Sequence, residues 1–340
     1  MNRLWPAVKL LGGAAIVVAL VAKLGSGAVV DALASVGPGA VLAALALGLL
    51  TTAASAARWC LVARALGMRL PLATAVVDCY RAVFLNSVLP AGVLGDVHRA
   101  VGYGRRIGDV GRGVRIVALE RVTGQLAIVV LGLGVLVGAR PALLPAAVGG
   151  LWPDGSGHTG SGSAGFGTAE LLAALVTVAA LGVWLAHAPQ VARLRARLTA
   201  AVRAGLHDAR GGVFTRGAWP ALFGLSVVTL AGYLALFVVA ARVAGVDAPV
   251  TALLPLLVLG LLAMVLPLNV GGWGPREGVM AVAFGAAGLG AAQGLATAVV
   301  YGVLGLVACL PGAVVLLLPA LRTLPSPTVP EPMTLERSVT

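Results

Sequence analysis

Ionisable side chains are scarce in this sequence and fall into short clusters. In FLNSVLPAGVLGDVHRA, residues 84–100, an apolar run ends at Leu89 and passes through Pro90, Gly92 and Gly95 to Asp96, His98 and Arg99, with Asn86 just before the break. Glycines let backbone N–H groups converge, and the helix N-terminus that follows favours an anion. An arginine there can hold two phosphate oxygens in its planar fork. The plainer reading also stands: Asp96 caps a helix, and Arg99 is a positive charge on the cytoplasmic side. In ERVTG, residues 120–124, the spacing puts Glu120, Thr123, Gly124 and Ala127 on one helical face, with Arg121 and Gln125 on a neighbouring one. Arg58, inside SAARWCLVAR, is a candidate partner for Glu120. In PLNVGGWGPREG, residues 267–278, Pro267, Asn269, Gly271, Gly272 and Gly274 make an irregular stretch, followed by Arg276 and Glu277. Asp78 and Arg81 stand i,i+3 and read as a structural salt bridge beside Tyr80.

An ionisable group at bilayer depth costs about 2.5–3.5 kcal/mol on insertion scales, so such groups pair with one another or serve a pathway. Arg58, Asn86, Asp96, Arg99, Glu120, Arg121, Asn269, Arg276 and Glu277 are therefore the candidate substrate-binding residues. Pro90, Gly92, Gly95, Gly124, Pro267, Gly271, Gly272 and Gly274 are the candidate structural turn positions. For each cluster, ion pairs that merely hold helices together are the competing reading.

The elements that carry these clusters must be membrane helices. The 340 residues are 59% hydrophobic and 11% charged, whereas soluble domains carry about 25% charged residues. No soluble core hides that much apolar surface. The net charge of +12 does not point to nucleic acid, because basic residues of membrane proteins collect in cytoplasmic loops. Three scattered cysteines (Cys60, Cys79, Cys309) and four histidines form no disulfide framework or metal set. No nucleophile elbow, Walker A motif or dinucleotide fingerprint occurs. Neither catalysis, nor a metal, nor a cofactor is expected.

Apolar stretches lie near 8–24, 39–63, 70–89, 114–138, 169–187, 218–243, 250–268 and 293–319. The first resembles a signal peptide without a convincing cleavage site and reads as a retained span. Arginines crowd 64–69, 97–115 and 188–217, while 25–38 has none and 139–168 only Arg140. The positive-inside rule makes the basic links, and both termini, cytoplasmic. The stretch 70–96 then has cytoplasmic flanks on both sides, so it must enter the bilayer and return. Irregular backbone at that depth survives only when buried in protein or lining a wet cavity.

VLPAGVLG at 88–95 reappears as VLPLNVGG at 265–272, an offset of 177 (265 − 88). The same offset carries 116–138 onto 293–315, inside the last apolar stretch. Counting crossings inverts the second unit relative to the first. Inverted repeats with broken helices near mid-membrane are an architecture of secondary transporters. The expected fold is thus an all-α polytopic bundle with two re-entrant broken-helix segments in an inverted repeat. Residues 1–340 read as a single membrane domain: 39–138 is the first unit, 139–217 a linker, span and cytoplasmic amphipathic segment, 218–319 the second unit and 320–340 a flexible tail.

The RW pair at 58–59, FLNSVLPAGVLGDVHRA, ERVTG and LPLNVGGWGPREG, in that order along nearly the whole chain, resemble the flippase-like family related to the membrane part of lysylphosphatidylglycerol synthases. Where that family often shows two glycines before the aspartate, Leu94 precedes Gly95 here. The resemblance implies a helix bundle with re-entrant segments that moves lipids between leaflets of a bacterial cytoplasmic membrane. No aminoacyltransferase sequence follows the last apolar stretch within these residues, so lysyl transfer is not expected. The implied partners are membrane lipids and no nucleic acid. The sequence carries no signal of oligomeric state. Two alternatives stay open: a non-transporting subunit presenting lipid to a separately encoded transferase or glycosyltransferase, and an intramembrane transferase with Glu120 or Asp96 as base.

Overall fold

The structure, a computed structural model, describes residues 27–89, 93–138, 218–265 and 274–317. Among the described residues the regular structure is all helical: α1 (Gly27–Ala34), α2 (Pro38–Ala65), α3 (Leu72–Val88), α4 (Leu94–Arg106), α5 (Val110–Gly138), α6 (Trp219–Val243), α7 (Val250–Val265), α8 (Pro275–Ala286) and α9 (Ala291–Leu317). The expected span at 8–24, the segment 139–217 and the tail lie outside the described residues, as do Pro90, Gly92, Pro267, Asn269, Gly271 and Gly272.

Four helices, α2, α5, α6 and α9, are long and apolar enough to cross a bilayer. Proline starts α2 and sits in the first turn of α6, where its missing N–H would find no intrahelical partner anyway. Both helices stop at a glycine with positive φ: Gly67 at 75° and Gly245 at 76°. The chain then folds back, with Met68 N–H donating to Ala63 O at 2.9 Å and Val246 N–H to Ala241 O at 3.0 Å. A β-carbon would be strained at these left-handed positions, so glycine ends the helix sharply.

The other five described helices are shorter. α3 has 17 residues and α7 has 16, each about 25 Å long at 1.5 Å per residue and less than a full hydrocarbon crossing. Each packs antiparallel to the helix after it. In the first hairpin, Gly95 at the start of α4 lies against Ala82, and Arg106 at its end pairs with Asp78. In the second, Arg276 reaches Met264 while Gly260 lies against Met280. Gly95 is required by the close approach, because an added Cβ would land on the Ala82 carbonyl.

Residues 97–115, a basic link in the charge pattern, are helix to Arg106 and again from Val110. α4, LGDVHRAVGYGRR, is too polar to register as an apolar run, yet its Gly95, Arg99, Ala100 and Tyr103 are buried. Arg99 therefore sits on a packed helix and not in a loop. Gly124 is likewise no turn: it lies within the continuous helix α5, where its missing side chain leaves room for another residue's charge.

The two hairpins pack at opposite ends of the bundle. α2 and α6 run antiparallel, with Arg58 close to Ser226 and Thr51 close to Gly232. At one end Val62 of α2 and Leu222 of α6 form a core with Ala75 and Cys79 of α3 and Ala100 and Tyr103 of α4. At the other, Ala44 of α2 and Ala240 of α6 share a core with Leu253 and Leu257 of α7 and Phe284 of α8. Helix neighbours follow the same scheme. α3 packs on α9 as α7 packs on α5, and α4 packs on α5 as α8 packs on α9. Small residues allow these approaches: a Cβ on Gly48 of α2 would fall 2.7 Å from Ala308 Cβ of α9.

Candidate functional site

Five charged side chains from three helices, α2, α4 and α5, meet between the first hairpin and the long helices. Glu120 of α5 is at the centre, 2% exposed. Its Oε1 accepts from Arg58 Nε at 3.0 Å and Nη2 at 2.5 Å, and its Oε2 from Arg99 Nη2 at 2.8 Å. Arg99 Nη2 also lies 3.2 Å from Asp96 Oδ1. Asp96 Oδ2 in turn meets Arg121 Nη2 at 2.6 Å and accepts from Asn86 Nδ2 at 2.9 Å. The order Arg58, Glu120, Arg99, Asp96, Arg121 alternates sign. Alternation offsets the desolvation of several kcal/mol per ion that burial imposes.

Neighbouring groups hold each member in place. Asn86 Oδ1 accepts from Gly95 N–H at 2.8 Å, so one amide spans both helices of the hairpin. Arg99 lies 4.6 Å over the Trp59 ring and donates from Nη1 to Cys79 Sγ at 3.0 Å. Arg58 donates from Nη1 to Ser226 Oγ at 3.4 Å. Gly124 makes Arg58 possible, because a Cβ there would come 2.7 Å from Arg58 Nη2. Arg121 is at the rim, its side chain 44% exposed against 3% for Arg99.

The network forms one wall of a cavity of about 260 Å³, to which Thr229 and Tyr233 of α6 and Met264 of α7 contribute. A second cavity of about 170 Å³ adjoins it. Ser55, Val83, Tyr233, Met264 and Tyr301 line both. The two cavities are walled by residues from both halves of the chain.

Of the sequence-predicted residues, Arg58, Asn86, Asp96, Arg99, Glu120 and Arg121 are brought together. Arg276 and Glu277 are elsewhere, at the start of α8. Glu277 is fully buried, accepts from Gly274 N–H at 2.6 Å and from Arg276 Nε at 3.0 Å, and lines neither of these cavities. Arg276 lines the second cavity and lies 5.1 Å over the Tyr301 ring. Gly274 is the turn expected of it, with φ 111°. Asp78 and Arg81 pair at 3.1 Å, and Arg106 joins them.

Sequence reasoning missed Ser55, Cys79, Ser226, Thr229, Tyr233 and Tyr301. A lone hydroxyl or thiol in an apolar helix has no spacing signal; only the facing of antiparallel helices gathers them.

Chemically, the site offers three guanidinium groups against two carboxylates, a net charge of +1. It can take a single anionic group by exchanging guanidinium–carboxylate contacts for guanidinium–oxyanion contacts of the same geometry. No curated protein matches the chain. A sequence model of the family described as the lysylphosphatidylglycerol synthase TM region, however, matches residues 7–312. With its apolar helices and buried charge network, this chain is a multi-pass membrane protein that belongs to the lysylphosphatidylglycerol synthase TM region family.

Proposed function

We propose that this protein moves a phospholipid or lipid-linked headgroup across a bacterial cytoplasmic membrane. Family membership ties the chain to lipid handling at the membrane. The observation that carries the reading further is the net-positive network of Arg58, Glu120, Arg99, Asp96 and Arg121 facing a cavity between two short hairpins. A headgroup phosphate would meet Arg121 at the rim first and then Arg99 and Arg58, while the acyl tails stay in lipid. Glu120 and Asp96 hold the guanidinium groups in place when no phosphate is present, so the site does not collapse between cycles.

In this reading the hairpins are re-entrant and the two units are an inverted repeat. Their antiparallel helices, their cores at opposite ends of the α2–α6 pair and the matching neighbours of corresponding helices support it. So do the matching ends of α4 and α8: each stops at a positive-φ glycine, Gly108 or Gly288, with a return bond of 2.9 Å to Gly104 O or Phe284 O. The basic residues Arg64, Arg69, Arg105 and Arg112 gather at the base of the first hairpin, which supports a cytoplasmic position for that base. Both termini are cytoplasmic in the same scheme. The chain binds and carries lipid without chemistry of its own.

The test is headgroup accessibility of labelled phospholipid in vesicles containing the purified full chain. Wild type exchanges lipid between leaflets, and folded Arg99→Ala and Glu120→Gln variants are slow. Wild-type rates in both folded variants contradict the site. An isolated chain that never exchanges lipid but co-purifies with a transferase replaces transport by lipid presentation.

A further inference from the structure

We propose that Tyr233, Met264 and Tyr301 form a closed partition between the two cavities, and that Arg276, fixed by Glu277, holds it shut. The inference rests on the transport reading, in which the two hairpins enter from opposite faces, and adds the device that keeps the cavities apart.

The lining residues locate the partition. Along α2 the smaller cavity takes Leu47, Gly48, Thr51 and Thr52, the larger takes Arg58, and Ser55 between them belongs to both. Along α6 Ser226 and Thr229 line the larger, Gly232 and Leu236 the smaller, and Tyr233 both. The cavities therefore lie end to end along this antiparallel pair. Ser55 and Tyr233 each stand twelve residues before the positive-φ glycine that ends their helix, Gly67 or Gly245, so they occupy corresponding places near its middle. The remaining shared residues, Val83, Met264 and Tyr301, come from α3, α7 and α9. Five helices thus give one side chain apiece to the junction, and its three large ones are Tyr233, Met264 and Tyr301.

A barrier is needed there. From Leu47 to Arg58 the cavities follow α2 for about 16 Å at 1.5 Å per residue, about half of a hydrocarbon core of about 30 Å. Joined, a space of that length lined by hydroxyl and guanidinium groups would hold water and conduct small anions. A constriction of bulky, largely apolar side chains prevents this by excluding water.

The partition is held from one side. Tyr301 is 6% exposed and stacks on Phe237, with ring planes 10° apart and centroids 3.7 Å apart. Arg276 Cζ lies 5.1 Å over the same Tyr301 ring, and Arg276 Nη1 donates to Met264 Sδ at 3.9 Å. One guanidinium therefore touches two members of the partition, with a cation–ring attraction that strengthens away from water. Its charge is balanced on the spot, since Nε donates to Glu277 Oε1 at 3.0 Å while Glu277 Oε2 accepts from Gly274 N–H at 2.6 Å. Arg276 and Glu277 bring nothing to the five-member network; they are positioning residues that act through Tyr301 and Met264. Both sit in the first turn of α8. A shift of α8 against α9 takes the guanidinium off the ring and frees Tyr301 and the flexible Met264 side chain to move aside.

The test is chloride permeability of phosphatidylcholine vesicles containing the purified full chain and a chloride-quenched dye, with potassium and valinomycin balancing the charge. Wild type holds a chloride gradient as protein-free vesicles do. Tyr301→Ala loses it, and so does Met264→Ala, which trims the partition and leaves both rings of the Phe237–Tyr301 stack. Tyr301→Phe, which keeps the ring, holds the gradient. Arg276→Gln loses it and Arg276→Lys, which keeps a cation at the ring, holds it; a merely structural role would move stability and not permeability. A wild-type chain that leaks chloride, or folded Tyr301→Ala and Met264→Ala variants that both hold the gradient, overturns the proposal. Equal leakage from folded Arg276→Lys and Arg276→Gln overturns the role given to Arg276. A leak confined to the partition variants of a chain that never exchanges lipid sinks transport and leaves the partition standing.

Discussion

Replacing Glu120 by Gln should be among the most damaging single changes in the protein. Glu120 is 2% exposed and is the anion between two cations, with Arg58 at 2.5 and 3.0 Å and Arg99 at 2.8 Å. The amide keeps the shape and one acceptor oxygen but loses the charge, and its NH2 points a donor at a donor. Arg58 and Arg99 are then left buried with mutual repulsion and with Asp96 alone to compensate. Removing one partner of a buried pair costs about 3–5 kcal/mol, whereas replacing both with apolar groups of similar volume is often neutral. The Arg58→Met/Glu120→Met double variant removes one charge of each sign and leaves the net +1 unchanged. It should recover most of the stability lost by Glu120→Gln. The assay is unfolding in mild detergent followed by tryptophan fluorescence, run as a double-mutant cycle with the single methionine variants. A Glu120→Gln protein as stable as wild type refutes the reasoning. So do methionine substitutions whose costs simply add, because the charges would then be solvated independently.

Two other perturbations test the packing that presents this site. Gly95→Ala puts a methyl group on the Ala82 carbonyl and must push α4 away from α3; the same unfolding assay should show a loss of about 1–3 kcal/mol, and lipid exchange should slow because Asp96 and Arg99 move with α4. Phe237, fully buried and stacked on Tyr301 with ring centroids 3.7 Å apart, should cost about 3–5 kcal/mol when truncated to Ala, and a stability change near zero would contradict the core assigned to α6 and α9.

Much of this architecture was legible in the sequence, for reasons that can be named. The four long helices fall where the apolar stretches near 39–63, 114–138, 218–243 and 293–319 put them, because lipid makes hydropathy and length nearly sufficient. The pairing of Arg58 with Glu120 followed from the cost of isolated charges at depth. The 177-residue offset carries 116–138 onto 293–315, within α9 (Ala291–Leu317), where the apolar stretch alone already puts a helix. α4 was harder to read. Its charges look like a loop, and only packing against α3, through Gly95, Asn86 and Cys79, makes it a buried helix. Arg276 and Glu277 resembled a second binding cluster because adjacent opposite charges after a glycine turn suggest one. In space Glu277 is occupied with the Gly274 N–H and its own neighbour. The shared wall of Ser55, Tyr233 and Tyr301 was out of reach, because it depends on how three long helices face each other.

The most direct measurement of the central claim is cysteine accessibility from each side of the membrane, in a variant with Cys60, Cys79 and Cys309 replaced. Arg69→Cys and Arg105→Cys report on the base of the first hairpin, and Asp247→Cys and Gln293→Cys on that of the second; all four positions are exposed. The account predicts that an impermeant thiol reagent on the cytoplasmic side labels the first pair and spares the second, and that the reverse holds outside. Labelling of Arg69→Cys and Arg105→Cys from different sides, or of all four from one side, contradicts two hairpins inserted from opposite faces around a shared charged centre.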